Sequence, residues 1–154
     1  MKTSTMDRIE KSTVLRAPRS RIWRALTDPK EFGDWFRVKV EGPFKPGAHL
    51  RGQVTYPGWE HLPFEITIVE MEPERLFSWR WHPHTDETGR DYSGEPTTLV
   101  VFELEQVPEG TRLTVVESGF EGISADRLEK AYRGNESGWA EQMENIRRHV
   151  ASTP

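Results

Sequence analysis

The sequence predicts an α+β fold: a curved seven-stranded antiparallel sheet around a long C-terminal helix, with two short helices after the first strand. Three observations carry this. Residues 124–150 hold the clearest amphipathic pattern, residues 37–118 are punctuated by turn signals between strand-like runs, and a proline-marked pair of short helical segments follows one early strand. A long helix with one apolar stripe must be covered, and a curved antiparallel sheet is the layer available to cover it.

The elements follow in order. Residues 9–16 are rich in β-branched side chains until Ala17-Pro18 interrupts them, giving the first strand. Pro18 suits a first helical position, and Ile22, Ala25 and Leu26 share one face of a short helix ending near Thr27. Asp28-Pro29-Lys30-Glu31 has the spacing of a capping box with proline in the first turn, so a second helix carries Phe32, Trp35 and Phe36. Six strands are expected at 37–41, 49–56, 61–71, 75–81, 97–106 and 111–118. Period-2 alternation groups Phe77 with Trp79 and Trp81, Val100 with Phe102 and Leu104, and Leu113 with Val115 on the core face. The polar connection from His82 to Pro96 is long enough to be functional or flexible. In the last helix, Ala125, Leu128, Tyr132, Trp139, Met143, Ile146 and Val150 form the stripe, and Gly134 and Gly138 predict a kink or short break. Residues 8–150 read as a single domain between short tails, 1–7 and 151–154.

Composition narrows the function classes. In 154 residues there are 21 basic and 25 acidic side chains, a net charge of −4, so no global positive field holds a nucleic-acid backbone. Zero cysteines exclude disulfides, thiolate zinc, cysteine-ligated iron–sulfur clusters and a cysteine nucleophile. Neither a phosphate loop nor a dinucleotide glycine pattern occurs, and no cofactor is expected. The N-terminus lacks the apolar core of a signal peptide and no run approaches a membrane span, so a cytoplasmic protein is expected. Seven Phe, six Trp and three Tyr make aromatic rings a large part of the core.

Three ordered motifs carry a resemblance. Trp23-Arg24-Ala25-Leu26-Thr27-Asp28-Pro29 with Trp35-Phe36, then Glu117-Ser118-Gly119-Phe120, then Gly138-Trp139 opening an apolar segment, resemble the activator of heat-shock-protein-90 ATPase-like family. That family lies in the SRPBCC or START-like, helix-grip superfamily, with the birch-pollen allergen and polyketide cyclases. The resemblance implies a cavity between sheet and helix, and its family name suggests chaperone modulation and stress response. The stretch from Trp81-His82-Pro83-His84 to Asp91-Tyr92-Ser93-Gly94 also resembles a subgroup labelled vanillate-demethylase reductase. A short, cysteine-free chain does not support that label, which needs flavin and nicotinamide domains and an iron–sulfur centre.

Candidate cavity residues come from every layer: Trp35 and Phe36 from the short helices, Phe64, Ile66, Trp79, Trp81, Phe102, Val115 and Glu117 from the sheet, and Tyr132, Trp139 and Met143 from the long helix. Such a lining suits an apolar or aromatic small molecule, although the same rings can simply fill a core. Glu117 continues the inward alternation of Leu113 and Val115. It is read as a proton-transfer group, a polar anchor for a ligand, or a strand-end residue in water or bonded to the short helices. His82, His84 and Asp86 have a spacing that metals use but that chance also produces, and no metal site is assigned. The leading expectation is a small-molecule-binding domain without assigned catalytic residues. The alternatives are a cofactor-independent cyclase, hydratase or other lyase-type enzyme using a cavity carboxylate, and a chaperone-modulating protein using Arg19, Arg21, Arg24 and Lys30. Leu99 and Val101, on the outer sheet face, leave room for a homodimer.

Overall fold

A computed structural model describes residues 7–83 and 91–152. The first strand, β1 (Arg8–Leu15), leads into helices α1 (Arg19–Thr27) and α2 (Pro29–Phe36). Six strands follow: β2 (Val38–Val40), β3 (His49–Val54), β4 (Pro63–Glu72), β5 (Leu76–Trp81), β6 (Thr98–Val107) and β7 (Gly110–Ser118). A 3-10 turn at Phe120–Gly122 then connects to α3 (Ala125–Ser152). All pairings are antiparallel, and the sheet order is β1-β7-β6-β5-β4-β3-β2. Among the described residues no helix is long and apolar enough to cross a membrane.

The two short helices form their joint as the sequence predicts. Asp28 is extended and its carboxylate accepts the Glu31 N–H at 3.0 Å, with Pro29 opening α2. The Trp35 indole then donates to the Ala25 carbonyl at 2.8 Å, fixing the angle between α1 and α2. One boundary differs from expectation. Arg37 does not begin a strand but terminates α2 in the left-handed region, φ 68°, with its N–H on the Gly33 carbonyl at 3.0 Å. Glycine usually fills that position, because a side chain there costs roughly 1–2 kcal/mol. Gly33 is itself required, since a Cβ on it would lie 2.4 Å from the Val38 carbonyl oxygen where β2 turns away.

The alternation read for β5, β6 and β7 places Phe77, Trp79, Val100, Phe102, Leu113 and Val115 fully inside. Ser78, on the opposite face of β5, is also buried because the β4–β5 register shifts between Ile68 and Glu70, and the Glu70 N–H donates to the Ser78 hydroxyl. The expected break in the last helix does not occur: α3 runs without interruption from 125 to 152. Packing of its apolar stripe on the sheet and short helices outweighs the propensity deficit of about 1 kcal/mol for each glycine.

Trp79 sits at the centre of the core, with the rings of Phe102 at 5.2 Å, Trp81 at 5.4 Å, Phe32 at 5.6 Å and Phe77 at 5.7 Å. These contacts are edge-to-face, the arrangement favoured by aromatic quadrupoles. The middle of the space between sheet and α3 is therefore filled ring to ring, because the chain supplies enough aromatic volume to close it.

A polar clasp ties the helices together. The Glu31 carboxylate accepts from Arg24 at 2.6 Å, from Arg21 at 2.9 Å and from His149 of α3 at 3.0 Å. Burial pushes this carboxyl up, but the bonds from His149, Arg24 and Arg21 outweigh burial and hold it below its ordinary value of 4.5. A carboxyl lowered by folding stabilises the protein above its unfolded value, and that contribution is lost as pH falls through the folded value. Glu31→Gln should therefore lower stability by about 1–2 kcal/mol at neutral pH. Denaturant melts of the two proteins should draw together as pH falls from about 4.5 and converge only below the lowered folded value, where the wild-type side chain is neutral in the folded protein as well.

Candidate functional site

The site is built where β5, β6 and β7 meet α3. Glu117, near the end of β7, points inward at 0 % exposure, continuing Thr111, Leu113 and Val115. Its Oε1 accepts the Trp139 indole N–H at 2.8 Å and the Asn135 amide at 3.0 Å. Its Oε2 accepts the Trp81 indole N–H at 2.8 Å, the Thr98 hydroxyl at 2.5 Å and Asn135 again at 3.2 Å. Indole N–H and amide NH₂ groups only donate, so this is the donor pattern of a carboxylate. Among the described residues no Lys, Arg or His pairs with Glu117. Neither solvent nor the short helices satisfy it, as one reading of the sequence had it. Two indoles, a hydroxyl and an amide do.

The register explains how these groups converge. Trp81 lies opposite Thr98 on β6, and Val100, two residues further on, lies opposite Glu117. Asn135 and Trp139 are four residues apart on α3 and therefore share a face.

Apart from Tyr132, the other predicted residues divide into two groups. Phe36, Phe64, Trp81 and Trp139 border open space at this end of the sheet and helix. Trp35, Ile66, Trp79, Phe102, Val115 and Met143 are buried, with Glu117, behind that border. Tyr132 is half-buried against Phe120, and its hydroxyl donates to the Arg8 carbonyl at 2.9 Å. Burial, with Glu136 and Asp7 nearby, pushes the Tyr132 phenol up and keeps it a donor.

Two adjoining clefts open here. The smaller, about 210 Å³, is floored by Phe36, Trp81 and Trp139 and walled by Tyr56, Asn135 and Gly138. The larger, about 850 Å³, shares Phe36, Tyr56, Trp81, Glu141 and Gln142 with it and extends over Phe64, Trp59, Arg37 and Tyr92. The room expected between sheet and helix thus lies at one end of the molecule, not along its middle. Arg37, held in its left-handed conformation, places its guanidinium 5.6 Å from the centre of the Tyr56 ring. Arg127 of α3 secures the other rim: it donates to Glu95 at 2.9 Å and to the Pro83 carbonyl at 3.1 Å, and stands 4.8 Å from the Tyr92 ring centre.

Sequence reasoning missed Tyr56, Asn135 and Arg127. Asn135 left a signal, because it falls three after Tyr132 and four before Trp139 and so fills the gap in the apolar stripe. Tyr56 and Arg127 left none, since their roles depend on contacts between segments distant in sequence. Of the His82–His84–Asp86 spacing, residues 84 and 86 lie outside the described residues, and the His82 ring bonds the Glu95 carbonyl at 2.9 Å. No group of three His, Cys, Asp or Glu side chains suited to a metal occurs among the described residues. On α1 and α2, Arg21 and Arg24 are committed to Glu31, and Lys30 faces Asp34 at 3.5 Å. Leu99 and Val101 are half-buried on the outer sheet face.

A seven-stranded antiparallel sheet gripping a long C-terminal helix, with its clefts at one end of that grip, defines a helix-grip domain of the START-like class. The chain belongs to the family described as Activator of Hsp90 ATPase homolog 1-like protein, whose pattern matches residues 16–151. No curated relative matches the sequence. Among solved structures, a protein from Arthrobacter aurescens superimposes with a TM-score of 0.78 at 18 % identity, covering 99 % of this chain and 91 % of that one. Protein MLL2253 from Mesorhizobium loti gives 0.75 at 22 %, covering 96 % and 98 %. DynU16, from the dynemicin biosynthetic locus, gives 0.72 at 23 % over 94 % of this chain, which spans 47 % of its length. At these identities the likeness is one of fold.

Glu117→Gln should be strongly destabilising although it is nearly isosteric. The new NH₂ would face donors, leaving buried N–H groups unpaired at roughly 3 kcal/mol or more in total. Chemical denaturation should show this loss, and a shift in tryptophan emission should report the release of Trp81 and Trp139.

Proposed function

We propose that this chain is a small-molecule-binding domain that takes an apolar or aromatic ligand into the paired clefts at the end of α3. The observation that carries this reading is the wall the clefts share: half-buried Trp81 and exposed Tyr56 border open space beside the edge of buried Phe36, with exposed Trp59 further along the larger cleft, in a chain whose large rings are otherwise mostly buried. Their combined size is that of an ordinary ligand site, concave and aromatic with a few polar groups to orient a guest. The ring positions are set from behind by Glu117 and the Trp79 cluster, so the site is formed before ligand arrives.

The catalytic alternative receives less support. Both oxygens of Glu117 are occupied by donors, and its side chain lies behind the cleft wall, where a substrate does not meet it. Of the basic face that a chaperone-modulating role would use, Arg21 and Arg24 are engaged with Glu31, while Lys30, opposite Asp34, is exposed.

A thermal-shift or native mass-spectrometric screen of small aromatic compounds should find ligands. A Cβ added at Gly138 meets nothing within 4 Å and stands at the mouth of the smaller cleft, so Gly138→Leu should obstruct it while leaving the melting temperature equal or higher. Unchanged binding in that variant, or no binder in the screen, would count against the reading.

A further inference from the structure

The smaller cleft has a charge character that a site for neutral aromatics does not need. Its lining contains no Lys, Arg or His. Three rings in mutual contact make its floor, with centroids 6.2 Å apart for Phe36 and Trp81, 6.0 Å for Phe36 and Trp139, and 5.9 Å for Trp81 and Trp139. Tyr56 adds a fourth ring, and its hydroxyl leans on Glu141 at 3.3 Å, placing a carboxylate at the rim.

The buried carboxylate acts on this floor. The Trp81 and Trp139 indole N–H groups each donate to Glu117 at 2.8 Å. An indole bonded to an anion through its N–H is polarised toward its ring, which makes the ring face more negative. Trp79, by contrast, has a buried indole N–H without a hydrogen-bond partner among the described residues, and it lines neither cleft. The two polarised indoles are the two that face the smaller cleft. Rings made electron-rich, a carboxylate behind them, a carboxylate at the rim and no resident base together constitute a receptor for positive charge spread over an apolar surface.

We propose that the smaller cleft binds an organic ammonium cation of the quaternary or alkylated type. A compact, strongly hydrated cation would lose too much water on entering an aromatic floor, whereas an alkylated one presents methyl groups to the rings and delocalises its charge. The larger cleft is a poorer place for the cation, because its lining mixes Arg37, Arg51 and His82 with Glu65, Asp91 and the shared Glu141, whereas the smaller cleft has the carboxylate and no base. The rest of the ligand extends there. This assignment rests on the small-molecule reading above and specifies the charge of the guest.

The test uses choline and its uncharged carbon isostere, 3,3-dimethylbutan-1-ol, titrated into the full chain and followed by indole N–H resonances. Choline should bind at least about tenfold tighter, shift the Trp81 and Trp139 signals, and weaken as salt rises. Glu141→Gln, at an exposed position, should lower choline affinity severalfold and leave the alcohol unaffected, and Tyr56→Leu, which removes a ring of the shared wall, should lower choline affinity by a larger factor than that of the alcohol. Equal or tighter binding of the alcohol overturns the cation site, as does failure of both probes while neutral aromatics bind in the clefts. If no compound of any charge binds, the small-molecule reading falls with it.

Discussion

A carboxylate taken out of water must be given donors or it destabilises the fold that buries it, and Glu117 is given five contacts from four side chains on three separate elements. Trp81 comes from β5, Thr98 from β6, Asn135 and Trp139 from α3. Apolar packing between a sheet and a helix tolerates sliding by a fraction of a residue, because one methyl contact replaces another. Hydrogen bonds to a single carboxylate do not, since each donor must reach its oxygen at about 2.8 Å with a fixed direction. The polar knot thus sets the register of α3 on the sheet, and the aromatic core fills in around it. The same knot fixes the outermost rings, so stability and the shape of the cleft wall have one origin.

This arrangement explains why the open space is at the end of the grip. Trp79 is packed against rings from its own strand, from β6 and from α2, and α3 closes over it through Trp139. Beyond Trp81 the sheet inner face continues along β3 and β4, but α3 offers Gly138 and Gln142 there instead of large apolar side chains. The Gln142 amide bonds the Phe36 carbonyl at 3.0 Å, which holds α2 and α3 together without filling the gap between them. Glycine at 138 is thus best understood through the space beside it. The helix gives up propensity at that turn, and a cleft exists because no side chain occupies it.

The fold was legible because its signals are local and periodic. Alternation in β5, β6 and β7, the Asp28-Pro29 joint and the stripe of α3 each belong to one segment and need no partner to be read. The candidate site was legible only in part. Glu117 stood out as a carboxylate continuing an apolar alternation, and Trp81 and Trp139 as two among the candidate lining rings. What satisfied the carboxylate was hidden, because donors assembled from β6 and α3 have no common sequence pattern. Arg37 illustrates a different loss. Its φ of 68° follows from where α2 has to stop against β2, and composition at that point reads as ordinary strand. The expected kink in α3 shows propensity being overruled: a glycine in a helix costs about 1 kcal/mol, which a long packed interface absorbs.

Glu117 also bears on why such a domain would keep a buried charge at all. A hydrophobic residue of similar size would remove the desolvation penalty and could pack against Trp79 and Val115, so stability alone does not require the carboxylate. Its donors, however, include two of the three rings that floor the smaller cleft, and without an acceptor their N–H groups would be buried and unpaired. An apolar replacement would release both indoles to other rotamers and erase the wall. The acid is therefore most economically explained as the element that orients rings toward a space, which makes the cleft a constructed feature and not a packing defect at the edge of an aromatic core.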